Sequence, residues 1–196
     1  MTSEDTSQSP VQATPNHRVR QYVASDRMNI RQADHRDAEG IWCVQIAAIR
    51  QLCTSHYSAT EIEAWAGPLQ PDWYRNVIGE RELFVAVEGE TIIGFGQLNL
   101  NTAEVDAIYV HPAATRQGVG TALLRRLEDI ARQHGLGALR LAASLNSVPF
   151  YDSMGFHRKR ETKFPLLPGV GIASVVMEKD LQLHDMKKGV KSALGS

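Results

Sequence analysis

The residue types best suited to chemistry lie between positions 105 and 131. An apolar, β-branched run ends at His111-Pro112, a polar turn carries Gly118 and Gly120, and leucines and an isoleucine recur at helical spacing over residues 122–131. The order is strand, glycine turn, helix. The first amides of a helix have no partner inside it and sit at the positive end of its dipole. A phosphate placed there accepts several N–H bonds at once. Gly118 and Gly120 lack Cβ atoms, so a ligand can approach the main chain closely. An ordinary strand-to-helix connection is the competing reading of the same residues.

The turn Thr115-Arg116-Gln117-Gly118-Val119-Gly120, preceded by Ile108-Tyr109-Val110-His111-Pro112 and followed by an amphipathic helix, resembles the acetyl-CoA site of the GNAT superfamily of N-acetyltransferases. That family's usual pattern is Gln/Arg-x-x-Gly-x-Gly/Ala. Thr115 departs from it at the first position, which affects a side-chain contact and leaves the amide cradle intact. The resemblance implies that Arg116, Gln117, Gly118, Val119, Gly120 and Thr121 hold the cofactor's phosphates. It also implies that main-chain groups of Ile108 and Val110 pair with the pantetheine and polarise the acetyl carbonyl. A second stretch, Asn146-Ser147-Val148-Pro149-Phe150-Tyr151-Asp152-Ser153-Met154-Gly155-Phe156, resembles the GNAT element in which an Asn precedes a short helix ending in Tyr-x-x-x-Gly-Phe. By that resemblance Asn146 binds the pantetheine or caps the helix, and Tyr151 sits over the sulfur and protonates the departing thiolate.

Acetyl transfer to an amine needs a base for the amine proton, a donor for the carbonyl oxygen as it gains charge, and an acid near the leaving thiolate. Strict alternation along the strand places Val105, Ala107 and Tyr109 on one side and Glu104, Asp106, Ile108 and Val110 on the other. Glu104 matches the position where several GNATs carry a glutamate base; a solvated carboxylate at a strand edge is the alternative. Asp106 is the rival base, and a carboxylate deeper in a strand is either paired structurally or functional. His56-Tyr57-Ser58 with Ala64-Trp65-Ala66 is similar to a YafP-like subgroup of the superfamily. In the GNAT fold that inter-helix segment lines the acceptor site, so His56 and Tyr57 are candidate substrate contacts, with loop packing as the alternative.

The elements that must position these residues follow from pattern and punctuation. A polar tail rich in Ser, Thr, Gln and Pro covers residues 1–27, and residues 28–31 form a first strand. A helix over 34–53, with Asp34 as N-cap, buries Ala38, Trp42, Ile46, Ile49 and Cys53. The capping box Ser58-Ala59-Thr60-Glu61 opens a second helix that Gly67-Pro68 stops. A short helix over 71–78 precedes a hairpin turning at Glu88-Gly89-Glu90, then a strand over 103–110 and the helix over 121–134. The remaining elements are a strand over 138–143, a short helix over 147–154, and strands over 156–162 and 172–179 joined by a loop over 165–170. A loose tail covers 182–196. Apart from the short helix at 71–78, the order β-α-α-β-β-β-α-β-α-β-β is that of GNAT. Over 28–181 the resemblance implies a mixed α/β fold, a mostly antiparallel sheet flanked by helices that splits between its fourth and fifth strands.

Composition bounds the function. The 196 residues suit one domain with tails, with 43% hydrophobic and 22% charged residues. A net charge of −1 gives no pull toward nucleic acid or acidic membrane, and no apolar run approaches a membrane span. Cys43 and Cys53, ten residues apart, are about 15 Å apart if on one helix, too far for a disulfide. Free thiols and the lack of a secretory signal fit a cytoplasmic protein. No Cys/His cluster has zinc spacing. A P-loop is excluded because no Gly-Lys-Ser/Thr follows the glycines, and the antiparallel hairpin argues against a Rossmann dinucleotide site. The basic run His157-Arg158-Lys159-Arg160 reads as a solvated strand edge. The function expected is therefore transfer of acetyl from acetyl-CoA to a primary amine, by a monomer or homodimer. The alternative is a GNAT-like module that binds acyl-CoA or a partner without turnover.

Overall fold

The computed structural model describes residues 28–181; the tails expected at 1–27 and 182–196 lie outside the described residues. Seven strands form one sheet in the order β1-β2-β3-β4-β5-β7-β6. They are β1 (Met28–Gln32), β2 (Glu82–Glu88), β3 (Thr91–Asn99), β4 (Glu104–Val110), β5 (Ala138–Ser144), β6 (His157–Leu167) and β7 (Val170–Asp180). All neighbours are antiparallel except β4 and β5, which run parallel and share a single pairing, Glu104 with Arg140. Arg140 N–H donates to Ala103 O at 3.1 Å, and beyond that point the two strands diverge.

The helices are α1 (Ala38–Leu52), α2 (Ala59–Ala66), α3 (Pro71–Val77), α4 (Val119–Gln133) and α5 (Val148–Ser153). α1 and α3 cover one face of the sheet through Ile41, Val44, Tyr74, Val85 and Phe95. α4 and α5 cover the other through Leu123, Leu127, Tyr151, Leu141 and Met177. α2 packs with Ile49, Cys53 and the start of β7 at Ile172. None of the helices among the described residues is long and apolar enough to cross a membrane.

Several local expectations shift. Asp34 does cap, but it caps a 3-10 turn (His35–Asp37) that leads into α1. The buried stripe of α1 is Ala38, Ile41, Val44, Gln45, Ala48 and Ile49, while Trp42 and Ile46 are half-buried. α1 is covered on two sides, so its buried arc is wider than one stripe; Trp42 turns toward the end of α2, donating from Nε1 to Leu69 O at 2.9 Å. The loop expected over 165–170 is almost all strand. Pro165 pairs opposite Gly171, and the reversal shrinks to Pro168-Gly169, with Gly169 at φ +78°. β6 is an edge strand, where a proline forfeits no needed ladder bond.

The fourth strand also departs from strict alternation. Gln97 of β3 pairs with Ala107 and Leu98 with Val105, so Asp106 is an extra residue on β4, a β-bulge. The bulge turns Val105 onto the α4 face with Ile108 and Val110, leaving Ala107 and Tyr109 on the α1 face.

α4 lies close over β3 because Gly94 and Gly96 face it. A Cβ on Gly94 would stand 2.9 Å from Val119 Cγ1 and 3.0 Å from the main-chain Tyr109 O. A Cβ on Gly96 would first meet Leu127 Cδ1, the far end of a flexible side chain, at 3.2 Å. Gly94→Ala is therefore expected to cost about 1–3 kcal/mol by overpacking, and Gly96→Ala less. Urea unfolding of the two variants checks this ordering.

Candidate active site

The divergence of β4 from β5 opens a cleft of about 800 Å³. Ile108 and Val110 line one bank and Ala142, Ser144 and Asn146 the other. At one end lies the turn into α4. There the amides of Arg116, Gln117, Gly118, Val119, Gly120 and Thr121 donate to no acceptor among the described residues, and the first bond of the helix is Ala122 N–H to Gly118 O at 2.9 Å. Two left-handed residues, Arg116 at φ +63° and Gly118 at φ +82°, curl the chain so that these amides converge. The turn is braced from behind: Thr115 Oγ1 donates to Pro112 O at 2.9 Å and Gln117 Nε2 to Ala113 O at 3.0 Å. The donor set fits a pyrophosphate, which presents many acceptors and negative charge to the positive end of a 15-residue helix.

Of the residues expected at this end, Arg116, Gly118, Val119, Gly120 and Thr121 line the cleft. The Gln117 side chain does not; it is spent on holding the turn. A Cβ on Gly120 would stand 3.5–3.6 Å from Phe150 and Val110, so this glycine keeps the passage between β4 and α5 open.

Midway along the cleft, Tyr151 is 6% exposed and reaches it from α5. Its hydroxyl forms no hydrogen bond with other described residues, and burial pushes its pKa above the ordinary tyrosine value, which keeps the proton on the phenol. Asn146 lines the same bank, where its Oδ1 accepts a weak bond from the Cys53 thiol at 3.6 Å. Desolvation pushes that thiol up to about 11, so Cys53 is an inert neutral group there. Cys43 is free as well.

The two carboxylates of β4 separate. Glu104 does not line the cleft; it borders an adjoining smaller cavity of about 320 Å³. Asp106, swung out by the bulge, lines both. It accepts from Gln97 Nε2 at 3.0 Å and lies 3.5 Å from Arg81 Nε. Burial pushes its carboxyl above the usual aspartate value, although Gln97 and Arg81 pull the other way. Alternation alone could not single out Asp106, because a bulge is set by pairing with β3.

Neither His56 nor Tyr57 reaches the cleft. Tyr57 is 6% exposed, and its hydroxyl donates to Ala173 O and accepts from Leu145 N–H, each at 2.7 Å. It is a strut tying the α1–α2 connection to β7 and to the end of β5. His56 is exposed, and its Nδ1 pairs with Ser55 Oγ at 2.8 Å. The cleft is lined there instead by the aromatic residues Trp65, Trp73, Phe95, Tyr109 and Phe164. Trp65 and Trp73 sit on helices too short for periodicity to show which residues face inward. Phe164 comes from the part of β6 that extends beyond the strand expected to end at 162.

Comparison with known proteins agrees with this geometry. Residues 53–181 match the family model described as an acetyltransferase (GNAT) domain. The chain is 25% identical over 138 residues to the uncharacterized N-acetyltransferase YafP of Escherichia coli strain K12, covering 70% of this chain and 87% of that one. Its fold superposes on a GCN5-related N-acetyltransferase of Rhodopseudomonas palustris with a TM-score of 0.75 and 26% identity, over 81% of this chain and 99% of the other. The PaiA N-acetyltransferase of Thermoplasma acidophilum, solved in complex with coenzyme A, shares the fold with a TM-score of 0.67 at 24% identity, over 78% and 98% of the two chains. A split sheet, a free amide turn and a family match over most of the described residues lead to one assignment: the chain belongs to the GNAT family of acetyltransferases.

Proposed function

We propose that this acetyltransferase moves the acetyl group of acetyl-CoA to a primary amine by direct attack, with both substrates bound at once. The observation that carries the reading is the continuity of the cleft. One opening is lined by five residues of the free-amide turn (Arg116, Gly118, Val119, Gly120 and Thr121), by Tyr151 and by Asp106. The amides receive the pyrophosphate, and the diverging edge of β4 at Ile108 and Val110 offers main-chain groups to the pantetheine. A module that binds acyl-CoA without turnover would need the amide turn but neither a poised phenol nor a carboxylate beyond it. Free thiols at Cys43 and Cys53 support a reducing, cytoplasmic setting.

The step balances without a further reactant. The amine nitrogen bonds to the carbonyl carbon, the C–S bond breaks, and sulfur leaves with the electron pair. Asp106, directly or through water, takes the amine proton and returns it through solvent to the departing thiolate, and the products are the N-acetyl amine and CoA thiol. Tyr151 faces the sulfur. A thiol pKa of about 8.5 is below that of the buried phenol, so the main help of Tyr151 is a hydrogen bond to the developing thiolate. The carboxylate closest to this chemistry is Asp106, with Glu104 in the outer cavity.

Tyr151→Phe is expected to lower kcat by about 10²-fold with little change in acetyl-CoA affinity, because the lost bond belongs to the transition state. Steady-state kinetics with calorimetry checks it; an unchanged kcat returns Tyr151 to the core.

A base must be ionised to act, and the raised pKa of Asp106 puts the acidic limb of the rate profile above the ordinary aspartate range. Activity rises with pH through that limb. Asp106→Asn is expected to remove this limb and leave only the rise due to the amine's own deprotonation, while Glu104→Gln keeps the limb. The pH profiles of kcat/KM for both variants decide between the two carboxylates.

Gly120→Val is expected to weaken acetyl-CoA binding more than Arg116→Ala. The branched side chain narrows the passage beside Phe150, whereas Arg116→Ala removes one charge and leaves the amides in place. Calorimetric Kd values for the two variants give the order.

A further inference from the structure

We propose that the amine acceptor is a small arylalkyl monoamine, an aromatic ring joined by a short chain to one primary amine; this rests on the acetyl-transfer reading above. Three observations on the acceptor half of the cleft carry it.

The first is a connected run of aromatic rings. Tyr57 meets Trp65 edge-on at 5.8 Å between centroids, and Trp65 meets Tyr109 at 6.5 Å. Tyr109 stacks on Phe95 at 5.4 Å, Phe95 meets Tyr74 at 6.0 Å, and Tyr74 meets Trp73 at 5.0 Å. Trp65, Tyr109, Phe95 and Trp73 present this run to the cleft, and Phe164 stands there with them from β6. Trp73 and Phe164 are each 49% exposed, an unusual state for such large apolar rings. A flat apolar guest among them would bury both.

The second is charge. Among the described residues that line the cleft, only Asp106 and Arg116 are charged, and Arg116 belongs to the phosphate-binding turn. The acceptor half therefore offers one carboxylate, already offset in part by Arg81. One amine can be matched there. A second ammonium on the same molecule would meet aromatic faces there but no second carboxylate among the described residues.

The third is that the other polar side chains of this half are already engaged. Gln45 accepts from the Tyr74 hydroxyl and also acts on Tyr109, and Gln97 is bonded to Asp106. Few groups remain to recognise a polyhydroxylated aminosugar or the backbone of a peptide, whose polar groups would give up water for unpaired surroundings.

The test uses the full chain with saturating acetyl-CoA and follows thiol release. The acceptors are 2-phenylethylamine and tryptamine, compared with putrescine, spermidine, glucosamine and a lysine peptide. The expected result is a kcat/KM for the arylalkylamines at least about tenfold above every other acceptor. Trp73→Ala and Phe164→Ala, both at exposed positions that tolerate truncation, should raise KM for 2-phenylethylamine by a similar factor while acetyl-CoA Kd stays within about twofold. Equal or better turnover of a polyamine, sugar or peptide overturns the proposal and leaves acetyl transfer standing. So does an unchanged KM in both variants, or the absence of turnover of any arylalkylamine while acetyl-CoA binds. Failure of acetyl-CoA to bind at all overturns the acetyl-transfer reading itself.

Discussion

The single pairing between β4 and β5 is the constraint on which the site depends. Every other pair of neighbouring strands zips over five or more residue pairs, but these two meet at Glu104 and Arg140 and then part. Backbone donors and acceptors on a diverging edge need partners from somewhere. Helix α4, pulled close to β3 by Gly94 and Gly96, and the turn before it set further amides without partners among the described residues at one end of the same gap. The unmet hydrogen-bonding capacity of both features points into one space. A ligand that is extended, amide-bearing and phosphorylated at one end satisfies both, which is the chemistry of a pantetheine arm and its pyrophosphate.

The rest of the fold keeps that gap open and aims side chains into it. Tyr57 bridges Leu145 and Ala173, so the bank formed by the end of β5 and the start of β7 is tied to the α1–α2 connection. Glu128 of α4, only 4% exposed, is held by Lys179 of β7 at 2.6 Å and by Arg132 at 3.3 Å, which links the helix to the sheet beyond the split. The bulge at Asp106 turns a strand residue toward the cleft mouth where simple alternation would have left it beside Ile108 and Val110. Fold and site are thus one set of constraints: the elements that frame the split are also those that supply the reactive groups.

The cofactor end was legible in the sequence because its signals are local. A strand, a glycine turn and an amphipathic helix can be recognised within about twenty contiguous residues, and amides need no particular side chain. The Asn146–Phe156 element was legible for the same reason. The aromatic end of the cleft was not. Its residues come from α1, α2, α3, β3, β4 and β6, and only tertiary packing brings Trp65, Trp73 and Phe164 together. Tyr57 looked like a site residue because it sits in the segment that lines acceptor sites in this family, yet its hydroxyl closes two main-chain bonds. Asp106 and Glu104 could not be ranked, because a one-residue bulge depends on register with β3. Pro165 read as a loop residue because sequence does not reveal that β6 would be an edge.

The most direct test of the account is amide-resolved NMR of the isotopically labelled protein during titration with coenzyme A. The account requires the amides of Arg116 to Thr121 to move together downfield and gain protection from hydrogen exchange, with Ile108 and Val110 following as the pantetheine fills the split. Saturable coenzyme A binding that leaves those six amides unshifted, or that moves residues away from the β4–β5 divergence, would contradict it.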